Sequence, residues 1–104
     1  MKSLTFLPKL RKPNILIRRV VGLSMAPTLK PGQIVFGYDF YKKLGPGTVV
    51  IVLHEGVEKI KRIARVERDR VFILGDNPAV STDSRDFGAI PMSSVKAKVL
   101  YFTW

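Results

Sequence analysis

The sequence contains no cysteine and only one histidine, His54. Without cysteine the chain can form no disulfide, no thiolate zinc site and no cysteine nucleophile. One histidine cannot build a multi-histidine metal site, and a histidine-centred catalytic triad would depend on His54 alone. We expect this residue at the surface, because His54-Glu55-Gly56 has the pattern of a hairpin loop. The sequence implies no metal and no cofactor.

Long apolar runs are also missing. A helix that spans a bilayer needs roughly 20 apolar residues, whereas the longest apolar run, residues 48–53, has only the length of a strand. At the N-terminus the apolar residues 4–7 are too few for a signal peptide, whose apolar region has roughly 7–15 residues. We therefore expect a soluble, cytoplasmic chain that is neither exported nor anchored in a membrane.

Acidic residues are scarce. The 8 Asp and Glu residues stand against 18 Lys and Arg, which gives a formal net charge of +10. Such a charge attracts nucleic acid, anionic lipid or acidic protein segments, and does not choose among them. Residues 1–13 form a basic tail that contains two prolines. A frayed terminus is one interpretation of this tail, and peripheral contact with an anionic membrane surface is the other.

No window of helical length shows a sustained apolar period of 3.6 residues. Instead, short apolar runs separated by glycine and proline turns predict strands. These runs are residues 15–21, 33–38, 48–53, 57–66, 71–74 and 95–102. Between the last two runs, residues 75–88 have the composition of a long polar loop. The predicted fold class is all-β, either a small coiled antiparallel sheet or a partly closed barrel.

Ser24 and Lys61 are the candidates for nucleophilic chemistry. Ser24 lies where an apolar run meets a turn containing Pro27, and such a bend can expose the hydroxyl and leave backbone N–H groups free for an oxyanion. A serine needs a base, and Lys61 lies on a predicted strand with Lys59 on the same face. Burial and a neighbouring cation lower the pKa of a lysine from about 10.4. An ordinary turn and a solvated basic strand are the alternatives.

A third polar segment, residues 75–88, begins Gly75-Asp76-Asn77 and continues through Ser81 and Asp83. Its side chains are of the kinds that hydrogen-bond their own backbone in turns, so a polar surface loop is the plain interpretation. Its carboxylates do not have the spacing of a calcium-binding loop.

Together these segments resemble the sequence boxes of the type I signal peptidase family, in the family's order. They are Gly22-Leu23-Ser24-Met25-Ala26-Pro27-Thr28-Leu29, Ile60-Lys61-Arg62, and Gly75-Asp76-Asn77 with Ser81-x-Asp83-Ser84-Arg85-x-x-Gly88. The resemblance covers about residues 20–99. It implies that residues 14–104 are a single β peptidase catalytic core of the coiled, mostly antiparallel type. It also implies a serine endopeptidase that cuts a signal peptide or propeptide after a small residue, with the polypeptide substrate bound as an added strand.

The resemblance also implies a role for each matching residue. Ser24 would be the nucleophile, and its backbone N–H an oxyanion donor. Lys61 would be the general base and then the acid that protonates the leaving amine, with Ser81 orienting its side chain. Two ion pairs would support the site, Arg62 with Asp76 and Arg85 with Asp83. Substrate side chains would contact Val21, Met25 and Lys59.

The sequence departs from many bacterial members of the family. Gly22 stands two residues before the nucleophile, where those members have a serine as a second oxyanion donor. No N-terminal membrane anchor is visible, and only residues 63–74 separate the lysine box from the third box. The chain is similar in size to small soluble relatives that trim a propeptide, such as the nickel superoxide dismutase maturation proteases.

Two other function classes remain open at this level. A small basic β-barrel could bind nucleic acid, although the basic residues are spread along the chain. A self-cleaving repressor-type peptidase also uses serine and lysine, but it carries a DNA-binding helical domain and a cleavable linker that residues 1–13 do not contain. An exposed strand edge would allow a homodimer.

Overall fold

Seven strands and three short helical segments make up residues 14–41 and 43–103, the part of the chain that the computed structural model describes. The strands are β1 (Ile15–Arg19), β2 (Ile34–Tyr38), β3 (Val49–His54), β4 (Val57–Glu67), β5 (Arg70–Leu74), β6 (Ile90–Pro91) and β7 (Val95–Phe102). The α-helix is α1 (Ser84–Phe87), and Pro78–Val80 and Met92–Ser94 are turns of 3-10 helix. The predicted basic tail, residues 1–13, lies outside the described residues.

All neighbouring strands are antiparallel, in the order β1-β2-β7-β3-β4-β5-β6. The prediction of an all-β, coiled antiparallel sheet is confirmed. The outer strands β1 and β6 do not pair with each other, so the sheet is not closed into a barrel. Register shifts interrupt the pairing after Phe36, Ile51 and Ile63. Such bulges bend a strand and increase its twist, which coils a sheet without closing it.

The six predicted strands correspond to β1 to β5 and β7. The bounds of β7 are as predicted, and those of the other five differ by one or two residues. The two-residue strand β6 was missed, because two residues cannot show an alternating pattern. The predicted polar loop contains α1, whose four residues are too few for a helical period to appear. No helix in the described part of the chain is long and apolar enough to cross a membrane.

The central strand β3 supplies both apolar clusters of the core. Val50 and Val52 point into the first cluster, and Ile51 points into the second. The first cluster also contains Leu44, Ile63, Val71, Ile73, Ile90 and Val95. The second also contains Val20, Met25, Leu29, Val35 and Ala97. Because β3 is buried on both faces, its sequence is a continuous apolar run and does not alternate.

His54, at the end of β3, is not the surface residue that the hairpin pattern predicts. Its side chain is 17% exposed, and its ring stacks on Phe87 with 4.1 Å between ring centroids. The turn beyond it does reverse the chain, since His54 pairs with Val57 across the hairpin. The local pattern therefore gave the turn correctly and could not show that α1 covers one side of it.

A substitution at Gly37 on β2 would test how tightly the second cluster is packed. An added Cβ there would lie 2.9 Å from Ala97 Cβ and 3.0 Å from Ile51 Cδ1. We expect Gly37→Ala to lower the free energy of unfolding by about 1–3 kcal/mol, measured by urea denaturation. Gly45→Ala is the matched control, because no heavy atom lies within 4 Å of its added Cβ. Wild-type stability in Gly37→Ala would contradict this account of the core.

Candidate active site

Ser24 lies in a turn that is anchored by two apolar residues of the second cluster, Met25 and Leu29. Met25 and Leu29 are 2% and 1% exposed, and the Leu29 N–H donates to the Met25 carbonyl at 2.9 Å. Ser24 itself is half-buried. Among the described residues, its backbone N–H has no hydrogen-bond acceptor. The turn therefore buries its apolar residues and leaves a serine hydroxyl and a backbone donor available at one point.

Asn77 holds the serine turn from the other side. Its backbone N–H donates to the Ser24 carbonyl at 2.8 Å, and its side-chain Nδ2 donates to the Leu23 carbonyl at 3.1 Å. Asn77 belongs to the third box of the family resemblance, but the resemblance assigns it no role. Its signal was present in the Gly75-Asp76-Asn77 box, but a motif does not show which backbone groups an asparagine will reach.

Gly75 lets the third segment approach the turn closely. A Cβ at this position would lie 2.1 Å from Ser81 Oγ and 2.7 Å from the Ser24 carbonyl oxygen. Any larger residue would have to displace one of these groups. The Gly75 N–H also donates to Asp83 Oδ2 at 2.8 Å, so the glycine contributes both space and a hydrogen bond.

Lys61 is buried on β4, with 4% of its surface exposed. Its Nζ donates to Ser81 Oγ at 2.9 Å, and Ser81 Oγ donates to Asp83 Oδ2 at 2.6 Å. An ionised carboxylate can only accept, and a hydroxyl carries a single proton. Since the Ser81 proton goes to Asp83, Ser81 can only accept from Lys61. The lone pair of a neutral Lys61 amine is then left for another group.

Burial is the main reason that the pKa of Lys61 lies below that of an ordinary lysine. The charges around it act in both directions. Lys59 and Arg85 lower the pKa further, whereas the carboxylates of Asp83 and Asp86 raise it. In this site, Lys61 therefore becomes neutral at a lower pH than a lysine in water does.

Asp83 is fully buried, with 0% of its surface exposed. Burial opposes its ionisation, but hydrogen bonds from Arg85, Ser81 and two backbone N–H groups hold the pKa of this carboxyl well below its usual range. Arg85 donates to it from Nε at 3.0 Å and from Nη2 at 2.6 Å. The structure therefore brings together the predicted pair, Asp83 and Arg85. It adds the hydrogen bond from Ser81 to Asp83, which the sequence does not predict.

Arg62 and Asp76, the other predicted pair, also lie together. Arg62 donates to Asp76 from Nε at 2.9 Å and from Nη2 at 2.8 Å. This two-bonded arrangement lowers the pKa of Asp76. Arg62 also donates to the Gly47 carbonyl at 2.7 Å. The pair fastens the third segment to β4, next to Lys61.

Ser24 and Lys61 line one cavity of about 320 Å³. Val21, Met25 and Lys59, the predicted substrate contacts, line the same cavity. Its remaining lining residues are Arg18, Arg19, Val20, Glu58 and Ile60. No hydrogen bond joins the Ser24 hydroxyl to Lys61 among the described residues. A larger cavity of about 670 Å³ contains none of the predicted site residues, so volume alone does not identify the site.

Gly22 is not among the residues that line this cavity. Its φ is +79°, a conformation that residues with a Cβ rarely adopt. No heavy atom lies within 4 Å of an added Cβ, so the backbone conformation, and not space, favours glycine here.

One edge of β4 is open beside the cavity. β3 pairs with β4 from Val57 to Arg62, whereas β5 pairs with it only from Arg62 onward. Among the described strands, none covers the second edge of residues 57–61. Across the cavity, Arg18 on β1 forms an ion pair with Glu58 on β4. An open strand edge that borders a nucleophile is suited to an extended peptide.

Comparison with known proteins gives a consistent result. The sequence model of the family described as "Signal peptidase, peptidase S26" matches residues 52–104. The mitochondrial ATP-independent inner membrane protease subunit 1a of Arabidopsis thaliana is 33% identical over 114 residues, which cover 82% of this chain and 68% of that protein. The mitochondrial inner membrane protease subunit 1 of Schizosaccharomyces pombe is 29% identical, over 85% of this chain and 73% of that protein.

These relatives contradict the prediction of a soluble, cytoplasmic location. Their names describe subunits of a protease of the mitochondrial inner membrane, which points to association with a membrane. The prediction was based on the lack of a long apolar run. A missing apolar run says nothing about peripheral contacts with a membrane or about partner subunits.

Asp83→Asn tests the buried carboxylate. We expect it to lower the free energy of unfolding at pH 7 by about 2 kcal/mol, because charged hydrogen bonds are lost. Since folding lowers the pKa of Asp83, the wild-type advantage is present above about pH 4, the ordinary range of an aspartate, and is lost as the pH falls below it. Urea denaturation at several pH values measures both effects.

The exposed Asp69 supplies the matched control for this comparison. Asp69→Asn should change stability by less than about 0.5 kcal/mol. Equal stability of Asp83→Asn and the wild type at pH 7 would show that the carboxylate does not hold the loop.

Proposed function

Because this chain belongs to the signal peptidase family, we propose that it is a serine endopeptidase in which Ser24 and Lys61 form a Ser-Lys dyad. The family gives the coarser statement, that the chain is a signal-peptidase-type protease acting on a polypeptide. The observation that supports the dyad best is the environment of Lys61. This buried lysine borders the same cavity as Ser24 and is held by a serine whose own proton goes to Asp83.

In the acylation step, the Ser24 hydroxyl oxygen attacks the carbonyl carbon of the scissile peptide bond. Lys61 Nζ takes the hydroxyl proton through the lone pair that Ser81 leaves free. Negative charge develops on the former carbonyl oxygen, and the Ser24 backbone N–H donates to it. The intermediate then expels the new amino terminus, which receives its proton from Lys61, and leaves an ester on Ser24.

In the deacylation step, water takes the place of the leaving amine. Lys61, neutral again, removes a proton from the water as it attacks the ester carbonyl. Collapse of the second intermediate returns that proton to the Ser24 oxygen and releases the new carboxyl terminus. Ser81 and Asp83 keep the amine in one orientation through both steps, so the same lone pair serves twice.

The substrate is an extended segment of a signal peptide or propeptide, added as a strand along the open edge of β4. Backbone pairing at residues 57–61 would supply affinity without a sequence requirement. Met25 is buried and borders the cavity beside Ser24, which limits the depth available to a side chain and favours cleavage after a small residue. The names of the relatives support a place of action at a membrane.

Three further expectations from the sequence stay predictions. These are the single catalytic core at residues 14–104, the homodimer, and the contact of residues 1–13 with an anionic membrane. Membership of a peptidase family gives no support to the alternatives of a nucleic-acid-binding barrel or a self-cleaving repressor.

The dyad is tested by mass-spectrometric cleavage profiles on a diverse peptide library. We expect Ser24→Ala to lower the cleavage rate by roughly 10³-fold or more. Lys61→Arg should be equally inactive, because arginine keeps the charge but cannot give up its proton. Lys30→Arg is the matched control, since Lys30 is exposed and does not border the cavity. An active Lys61→Arg enzyme would rule out lysine as the base.

The pH dependence provides a second test. Lys61 acts as a base only when neutral, so kcat/KM should rise with pH and fall as the pH drops through the pKa of this lysine. Because burial lowers that pKa, the midpoint should lie below the value of about 10.4 for an ordinary lysine. Initial rates over an alkaline pH series measure the midpoint. A midpoint at or above the ordinary value would contradict the proposed environment.

A further inference from the structure

Phe87 contacts two basic side chains of the hairpin formed by β3 and β4. It is the last residue of α1 and packs against the first apolar cluster. Its ring stacks on His54 at an interplanar angle of 23°. The Lys59 ammonium lies over the same ring, 4.7 Å from its centroid. One aromatic ring thus receives side chains from both strands of the hairpin.

The position of Phe87 is fixed by the same loop that holds the base. Asp83 caps α1, and its backbone N–H is bonded in return by the Asp86 side chain, which completes a capping box. Asp83 also accepts from Ser81, which binds Lys61. The ring therefore projects from a four-residue helix whose first turn is part of the Lys61 network.

The His54 contact is apolar in character. Its Nε2 is buried and makes no hydrogen bond in the described part of the chain, and a carboxylate oxygen of the exposed Glu55 lies 3.7 Å away. The imidazole therefore supports the ring by packing. Lys59 is the charged partner of the ring, attracted to the negative face of the aromatic system.

Lys59 and Lys61 are two residues apart on β4 and point to the same face. Both border the cavity that contains Ser24. A lysine side chain is flexible and strongly hydrated, so a half-exposed one ordinarily turns toward water. We propose that Phe87 is a positioning residue of the catalytic centre, which holds the Lys59 ammonium on the cavity wall beside Lys61. This inference rests on the proposed function, because it concerns the base of that reaction.

The position of the Lys59 ammonium matters because its charge is one of those that set the pKa of Lys61. Asp83 and Asp86 favour the protonated lysine, and Arg85 and Lys59 favour the neutral one. Arg85 is committed to Asp83 by two hydrogen bonds. Lys59 makes its contact with a neutral ring and has no ion pair among the residues that the structure describes. By keeping that charge close to Lys61, Phe87 helps to keep the base neutral.

Phe87→Leu removes the ring face and keeps an apolar side chain. We expect the midpoint of the pH profile of kcat/KM to move upward, and the rate at pH 7 to fall roughly two- to fivefold. Phe87→Tyr keeps the ring and should retain the wild-type profile. Phe72→Leu is the matched control, because Phe72 holds Arg65 in the same way, 3.9 Å from its centroid, and neither residue borders the cavity.

Lys59→Met supplies the second arm. Because Phe87 acts through Lys59, the double variant Phe87→Leu with Lys59→Met should have the same midpoint as Lys59→Met alone. Additive shifts would overturn the proposal. If Phe87→Leu does not fold, Lys59→Met alone decides, since an unchanged midpoint in this variant would also overturn it.

A readout without substrate separates this inference from the proposed function. The Lys61 side chain can be titrated by NMR in the full chain through its ¹³Cε resonance, for the wild type and each variant. An upward shift in Phe87→Leu and Lys59→Met supports the positioning role even if no peptide is cleaved. A Lys61 titration that is unchanged in folded Phe87→Leu overturns it, whatever the peptidase activity.

Discussion

The buried amine of Lys61 is the constraint on which the rest of this structure depends. An ammonium group loses hydration when it is buried, and the surrounding protein must either pair it or let it become neutral. This chain does neither completely. Lys61 reaches Asp83 only through the Ser81 hydroxyl, and the carboxylate is itself held by Arg85. The negative charge that could have fixed the lysine proton is largely engaged elsewhere, which leaves an amine suited to exchange protons.

That arrangement needs three segments that are far apart in the sequence. The serine turn is anchored by Met25 in the core, Lys61 comes from β4, and the loop after Gly75 joins the two. Each junction uses a different kind of force. Apolar burial places the turn, an ion pair between Arg62 and Asp76 fastens the loop, and the missing side chain of Gly75 allows the final approach. The coiled sheet is the frame that makes these junctions possible.

Much of this could be predicted from the sequence, for reasons that are local. The apolar runs predicted six of the seven strands that the structure describes, and alternation along β4 placed Lys59 and Lys61 on one face. The pairs Arg62 with Asp76 and Arg85 with Asp83 followed from the family resemblance. The contacts of Asn77 and the stacking of His54 on Phe87 could not be predicted. They depend on which loop covers which strand, and no local pattern contains that information. The predicted soluble, cytoplasmic location was wrong for a related reason. Composition describes one chain and carries no information about the partners or membranes with which it associates.

Because β5 covers only part of β4, the length of chain that could pair along the open edge of β4 is limited. A strand added along residues 57–61 meets β5 at Arg62, so the accessible edge is roughly 17 Å long at the usual rise of a strand. A segment that occupies this edge needs only about five extended residues. Under the proposed function, folded structure could therefore begin a short distance from the cut. A small residue at a junction beside a compact domain or a lipid surface would then be as open to cleavage as one in a long unstructured linker.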